Sequence, residues 1–302
     1  AAAPGTQRDG DQRHRRQHCA HRLSGQLLTM RRCHPSPLSR QPGFTLVELV
    51  MVIAIMGVIG AVVAVFMRSP IDAYFDSARR AALTDVADTA VRRMARDVRK
   101  ALPNSVRTPN PQCLEFIPTR TGGRYRTEDA AAGTRLDFTT ADTTFNMLGQ
   151  NSLWPADQQI RVGDTIAIYN LGPGIAGADA YEGSNTSTVT GVTDGVETAI
   201  AITARQFPFE SGSKRFHVVP VEEHVVAYVC AGGNLRRTVT TGSFASNCPA
   251  TGPVLATNVQ SCTFDYLGSD LQRNGLVQIQ FNISSNSETV SLYHEVHVNN
   301  SP

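Results

Sequence analysis

Six groups of residues in this chain of 302 have types and spacings that chemistry could use. Gly172-Pro173-Gly174-Ile175-Ala176-Gly177 has the glycine spacing of a dinucleotide fingerprint and follows a strand-like run. The residues after it, ADAYEGSNTST, do not form an amphipathic helix whose N-terminus could face a pyrophosphate, and Pro173 removes a backbone donor. Ser211-Gly212-Ser213-Lys214 fits the S-x-x-K nucleophile pattern, but no S-D-N or K-T-G accompanies it. His294 and His297 fall on opposite faces of one strand by alternation, so they cannot share a metal. His224 shares a face with Val226, Tyr228 and Cys230, where a hydrogen-bonded, half-buried histidine is the better reading than a ligand. Asp179 and Glu182, in a Gly-rich loop, could help hold calcium, with a solvated loop as the simpler account. His14, His18, Cys19 and His21 have no surrounding pattern to hold a metal. Neither an enzymatic activity nor a cofactor is expected.

Glu48 differs from all of these. It stands alone as an ionisable residue within Phe44–Met67, FTLVELVMVIAIMGVIGAVVAVFM. At about 1.5 Å per residue this run makes roughly 36 Å of helix, enough to span a bilayer core. Arg31, Arg32 and Arg40 precede it and Arg68 follows, which keeps the basic side cytoplasmic and exports everything after Met67. A cleaved secretory signal shares these features, with Val62-Val63-Ala64 as a passable cutting site. An acid near the start of a membrane helix is costly, however, and is a functional hypothesis by default.

The run GFTLVELVMVIAIMGVIGAVV, with glycine at the boundary between a basic leader and the apolar stretch, resembles the class III signal of type IV prepilins and type II secretion pseudopilins. The resemblance implies that prepilin peptidase cuts after Gly43 and methylates the new amine of Phe44. It also implies that Glu48 pairs with the α-amine of Phe44 on a neighbouring subunit, which would remove much of the cost of placing each charge in hydrocarbon. Implied partners are other minor and major pilins, prepilin peptidase, an inner-membrane assembly platform and membrane lipid. Met30 would open a 14-residue leader, MRRCHPSPLSRQPG, so residues 1–29 are expected to be no part of the working protein.

Beyond the apolar run, Ser69-Pro70-Ile71-Asp72 is a helix-start pattern, so either a new helix begins there or the membrane helix kinks. Apolar or small residues then recur at Ile71, Phe75, Ala78, Ala82, Val86, Ala90, Met94, Val98 and Leu102, which predicts one amphipathic face ended by Pro103. Acids fill the first half, and Arg92, Arg93, Arg96, Arg99 and Lys100 crowd the last turns, matching the helix dipole. Of the 28 basic residues, eight lie in residues 1–43 with two of the 26 acids, so the body is slightly acidic and nucleic acid is not an expected partner.

After Pro103, strands are predicted at 113–117, 135–139, 164–169, 188–192, 199–203, 215–219, 223–230, 234–239, 259–266, 276–283 and 288–298. The fold class is therefore α+β: a long N-terminal transmembrane and amphipathic helix packed on an antiparallel β domain. The expected divisions are a removed leader (1–43), a transmembrane half-helix (44–67), an amphipathic half-helix (68–102) and an exported globular domain (103–302). Hydrophobic residues make up 41% and charged residues 18%, which excludes disorder and suits an exported protein. Cys113, Cys230, Cys248 and Cys262, all on the exported side, predict two disulfides. Cys248 closes the hairpin-like stretch after Cys230, favouring Cys230 with Cys248 and Cys113 with Cys262. Without a C-x-x-C pair, a four-thiolate zinc site is disfavoured.

Later blocks, SPIDAYFDSARRAALTDVADTAVRRMARDVRKALPNSVR, CLEFIPTRTGGRYR and SLYHEVHVNNSP, are similar to the O-type minor pilins of mannose-sensitive haemagglutinin (MSHA) pili. J-type pseudopilins of type II secretion share several of them loosely. The implied location is the inner membrane, single pass with a periplasmic domain, and a pilus or pseudopilus after assembly. A membrane-tethered periplasmic adhesin or enzyme is the remaining alternative.

Overall fold

The computed structural model describes residues 43–302 apart from Ser246, residues 268–273 and Ser287; the leader, with its cysteines and histidines, lies outside the described residues. One helix, α1 (Leu46–Val98), precedes strands that pair antiparallel throughout. They are β1 (Arg107–Asn110), β2 (Cys113–Phe116), β3 (Thr121–Arg124), β4 (Asp142–Met147), β5 (Thr165–Ala167), β6 (Thr186–Asp194), β7 (Thr198–Arg205), β8 (Arg215–Val219), β9 (Val225–Ala231), β10 (Asn234–Thr240), β11 (Val254–Thr257), β12 (Val259–Leu267), β13 (Asn274–Ser285) and β14 (Glu288–Asn299). The chain divides into two compact units, one ending at Ala61 and one running from Val62 to Pro302.

α1 is a single helix of 53 residues with Pro70 inside it. Of the two alternatives at Ser69-Pro70, a new helix start is therefore excluded. Proline forfeits one intrahelical hydrogen bond, and the flanking turns carry the helix through. It ends at Val98, before the expected Leu102, and Leu102 instead donates its amide to Ile117 O at 2.8 Å. The buried face is Leu83, Ala87, Ala90, Val91, Met94, Ala95 and Val98. Ile71, Phe75 and Val86 of the expected stripe are exposed. Ile71 and Phe75 lie where no face of the helix is buried, and Val86 falls one position off the face of Leu83, Ala87, Ala90 and Val91, which is held by mixed steps of three and four.

This face shares one core with two sheets, β1-β2-β9-β10-β11 and β12-β13-β14. Asp97 fixes the helix end: it accepts from the Tyr228 hydroxyl at 2.7 Å and from Arg237 Nε at 2.9 Å, while the other Arg237 nitrogens grip Glu223 at 2.9 and 2.8 Å. Arg80 reaches Glu288 at the start of β14, at 2.7 Å.

The remaining sheet, β3-β8-β5-β6-β7-β4, is contiguous in sequence. It is inserted between β2 and β9, which pair directly with each other (Phe116↔Val226). Its two ends also meet. Arg126 N donates to Asn146 O and Leu148 N to Arg124 O, both at 2.9 Å, and Tyr125 bridges Met147. The sheet thus closes into a six-stranded barrel with its own core, which includes Tyr125, Phe145, Met147, Ile166, Ile200 and Phe216. Besides the helix-side core and the barrel core, two smaller buried clusters are present among the described residues, one of Leu102, Ile117, Ala167, Ala180, Val219 and Val225 and one of Cys113, Ala227 and Val229. The predicted strand at 135–139 is an irregular segment that sends Leu136 into the barrel core. Its Asp137 side chain accepts from Thr139 N at 2.7 Å, a turn that competes with strand pairing.

The disulfides join Cys113 to Cys248 and Cys230 to Cys262, overturning the favoured pairing. Register is the cause. Cys113 lies opposite Val229, so it faces the side carrying Ala227 and Val229. Cys230 faces the other side, toward the helix core that holds Cys262. Cys248 packs on the Cys113 side of that strand pair and bonds to Cys113.

Candidate functional site: the N-terminal segment

The site begins with a capped helix start. Thr45 precedes the first helical residue; its hydroxyl accepts the Glu48 amide at 3.2 Å and its carbonyl accepts the Leu49 amide at 3.2 Å. Thr45-Leu46-Val47-Glu48 has the spacing of a capping box. That signal was legible in T-x-x-E, yet Thr45 was absent from the expected site residues. The cap places Glu48 in the first helical turn, with its residue exposed. Phe44, 84% exposed, and Gly43, also exposed, lie just ahead of the helix. A free amine on Phe44 would sit at the positive end of the helix dipole, where a carboxylate in the first turn offsets it.

Every residue from Gly43 to Phe75 is exposed. The helix includes a window of mean hydropathy 3.0, none of it buried, so by length and composition it is able to cross a membrane. Aliphatic side chains with no internal partner need hydrocarbon or another protein surface.

The other candidates are placed apart from this segment. Asp179 is buried, and its carboxylate accepts the Gly174 amide at 2.7 Å and the Tyr181 amide at 2.8 Å. It organises the Gly172–Gly177 turns, where Gly172, Gly174 and Gly177 have positive φ and no helix follows. Lys214 pairs with Glu210, while the Ser211 hydroxyl lies 3.1 Å from that of Ser213. His224 is buried, accepts the Gly242 amide at 2.9 Å through Nδ1 and meets Phe244 edge-on; burial lowers its pKa. His294 is partly buried with Leu292 and Val296, and His297 is exposed with Tyr293 and Glu295. Cys113, Glu115 and Cys248 converge, but both sulfurs are in the disulfide and Arg107 holds the Glu115 carboxylate at 2.6 Å.

Residues 38–64 match the family model of the prokaryotic N-terminal methylation motif. This is a type IV pilin-like signal. It covers Gly43, Phe44 and Glu48, and it implies processing by prepilin peptidase and assembly with other pilins. Together with the apolar helix it marks a membrane-anchoring segment. No curated protein and no solved structure matches the chain.

Proposed function

We propose that the protein is a minor pilin of an MSHA-like type IV pilus, cut after Gly43, methylated on Phe44 and assembled through α1 into a priming or tip complex. The observation that carries this reading is the pilin-like signal running directly into an exposed apolar helix whose far half packs on β-sheet. In this reading Glu48 neutralises the Phe44 amine of the neighbouring subunit within the apolar filament core. The barrel inserted between β2 and β9 adds bulk that a filament tip accommodates more easily than every repeat of a shaft. The basic leader stays in the cytoplasm and the β-rich part enters the periplasm, where both disulfides can form. The protein has a structural role and catalyses no reaction.

Glu48→Ala is the test. The variant should remain in the membrane fraction at parental level yet be lost from sheared pili, with piliation falling accordingly. Normal piliation and normal incorporation of Glu48→Ala would contradict the assembly role and leave α1 as a tether.

A further inference from the structure

The barrel matches nearly all of its cations. Arg120 lies 3.3 Å from Asp164 and also contacts Glu222, Arg126 grips Glu197, Arg135 lies between Asp129 and Asp137, Arg161 reaches Glu222 at 3.5 Å and Lys214 pairs with Glu210. Arg205 donates to backbone carbonyls. Arg124 and Arg215 are different: among the described residues, no carboxylate or carbonyl accepts from either guanidinium, and both residues are exposed. They are also direct partners in the β3–β8 register, so both side chains leave the same face of the sheet. Like charges directly opposite each other destabilise a strand pair.

The next pair on that face is Gly122 opposite His217. Gly122 leaves the backbone bare there. A Cβ at this position would come within 2.9 Å of Phe216 O and 3.4 Å of His217 Nδ1. At this place lies a groove of ≈ 400 Å³ whose lining includes Thr119, Thr121, Gly122, Arg124, Arg215 and His217, with no carboxylate in it among the described residues. His217 Nε2 is shut off from solvent and has no hydrogen-bond partner among the described residues.

We propose that this groove binds a phosphate-type oxyanion, held between the guanidinium groups of Arg124 and Arg215 over the bare backbone of Gly122. Two forked donors on adjacent strands offer more N–H groups than one carboxylate can accept, whereas a phosphate presents enough oxygens to engage both. The groove has room beyond a bare phosphate, so a phosphomonoester fits the space. A soluble monoester and a lipid headgroup share this chemistry. The site does not depend on the filament assignment.

The test uses the full chain in maltoside micelles, with isothermal titration and thermal unfolding at matched ionic strength. The probes are inorganic phosphate, phenyl phosphate, acetate and dihexanoyl phosphatidate. Phosphate and phenyl phosphate should bind and raise Tm more than acetate does. Arg124→Gln and Arg215→Gln should each weaken phosphate binding by about 10- to 100-fold. Without phosphate, each variant should melt at or above the parental temperature, because one of two opposed charges is gone. Tighter binding of the short phosphatidate than of phenyl phosphate would assign the ligand to a headgroup, and the reverse order to a soluble monoester. Absence of a phosphate-specific effect, its persistence in Arg215→Gln, equal binding of acetate, or a lower Tm of both phosphate-free variants would overturn the site.

Discussion

Around α1 the core gathers segments distant in sequence, with Met94 and Val98 of the helix joining Phe116 of β2, Tyr228 of β9 and Phe281 of β13. The barrel draws its core from residues 125–218 and takes nothing from the helix. The closed barrel also hides its strand edges from one another's partners, whereas the helix-packed sheets leave β14 at an open edge and leave the first half of α1 bare. The first region keeps apolar surface that its own chain leaves exposed, whereas the barrel closes on its own core and meets the rest of the β domain through a smaller buried cluster that includes Leu102, Ile117, Ala167 and Val219. In the proposed reading, the helix joins a filament while the barrel is carried as an added module that takes no residue from the helix into its core.

The sharpest way to break this contrast is to damage each core in turn. Phe216→Ala removes a fully buried ring that packs edge-on against Phe145 with centroids 5.5 Å apart, at a cost of about 3–5 kcal/mol. Hydrogen exchange should then rise in β3–β8 and stay slow in the second half of α1 and in β12–β14. Met94→Ala should give the reverse map. If either substitution opens both regions together, the two cores form one cooperative unit and the contrast fails.

A smaller effect separates the regions by pH. Burial, helped by the Arg215 charge, lowers the His217 pKa from 6.5 to about 4. The unfolded chain therefore takes up a proton at His217 before the folded chain does. The stability this neutral histidine contributes is complete above pH 6.5 and is lost as the pH falls from 6.5 toward 4. The loss is on the order of 1–3 kcal/mol. In phosphate-free buffer, His217→Gln should flatten the acid-side decline of barrel stability relative to the parent; parallel pH profiles would contradict the buried neutral state.

The smallest expected change tests the helix-packed side. Asp97→Asn keeps Arg237 on Glu223 but withdraws the charged acceptor from Tyr228, costing about 1 kcal/mol. Burial first and Asp97 second hold the Tyr228 pKa above its usual value, so an absorbance titration should find this tyrosine ionising at lower pH in the variant. An unchanged titration would mean that Asp97 does not govern that end of the helix.

Much of this was readable in the residues. The signal at Gly43, Phe44 and Glu48 depends on local spacing, and the strand Thr198–Arg205 announces itself by the alternation of Thr198, Ile200 and Ile202 with alanines. β3 was missed because Thr121-Gly122-Gly123-Arg124 has no side-chain pattern. The need for glycine appears only once Phe216 and Met147 are seen to fill the space a Gly123 Cβ would enter, 2.8 and 2.9 Å away. β4 opens with Asp142-Thr143-Thr144, which reads as a turn. Barrel closure and the disulfide pairing both rest on register between distant strands, and a one-residue shift moves a cysteine to the other face. Composition and spacing hold no such information. The chain therefore displayed its anchor plainly and concealed its insert.

The central claim is that the N-terminal segment is a processed pilin-like signal. Intact-mass and N-terminal peptide analysis of the protein purified from its native membrane tests it most directly. The account predicts a mature chain that begins at methylated Phe44. An uncut chain, or one that begins after Ala64, would contradict it.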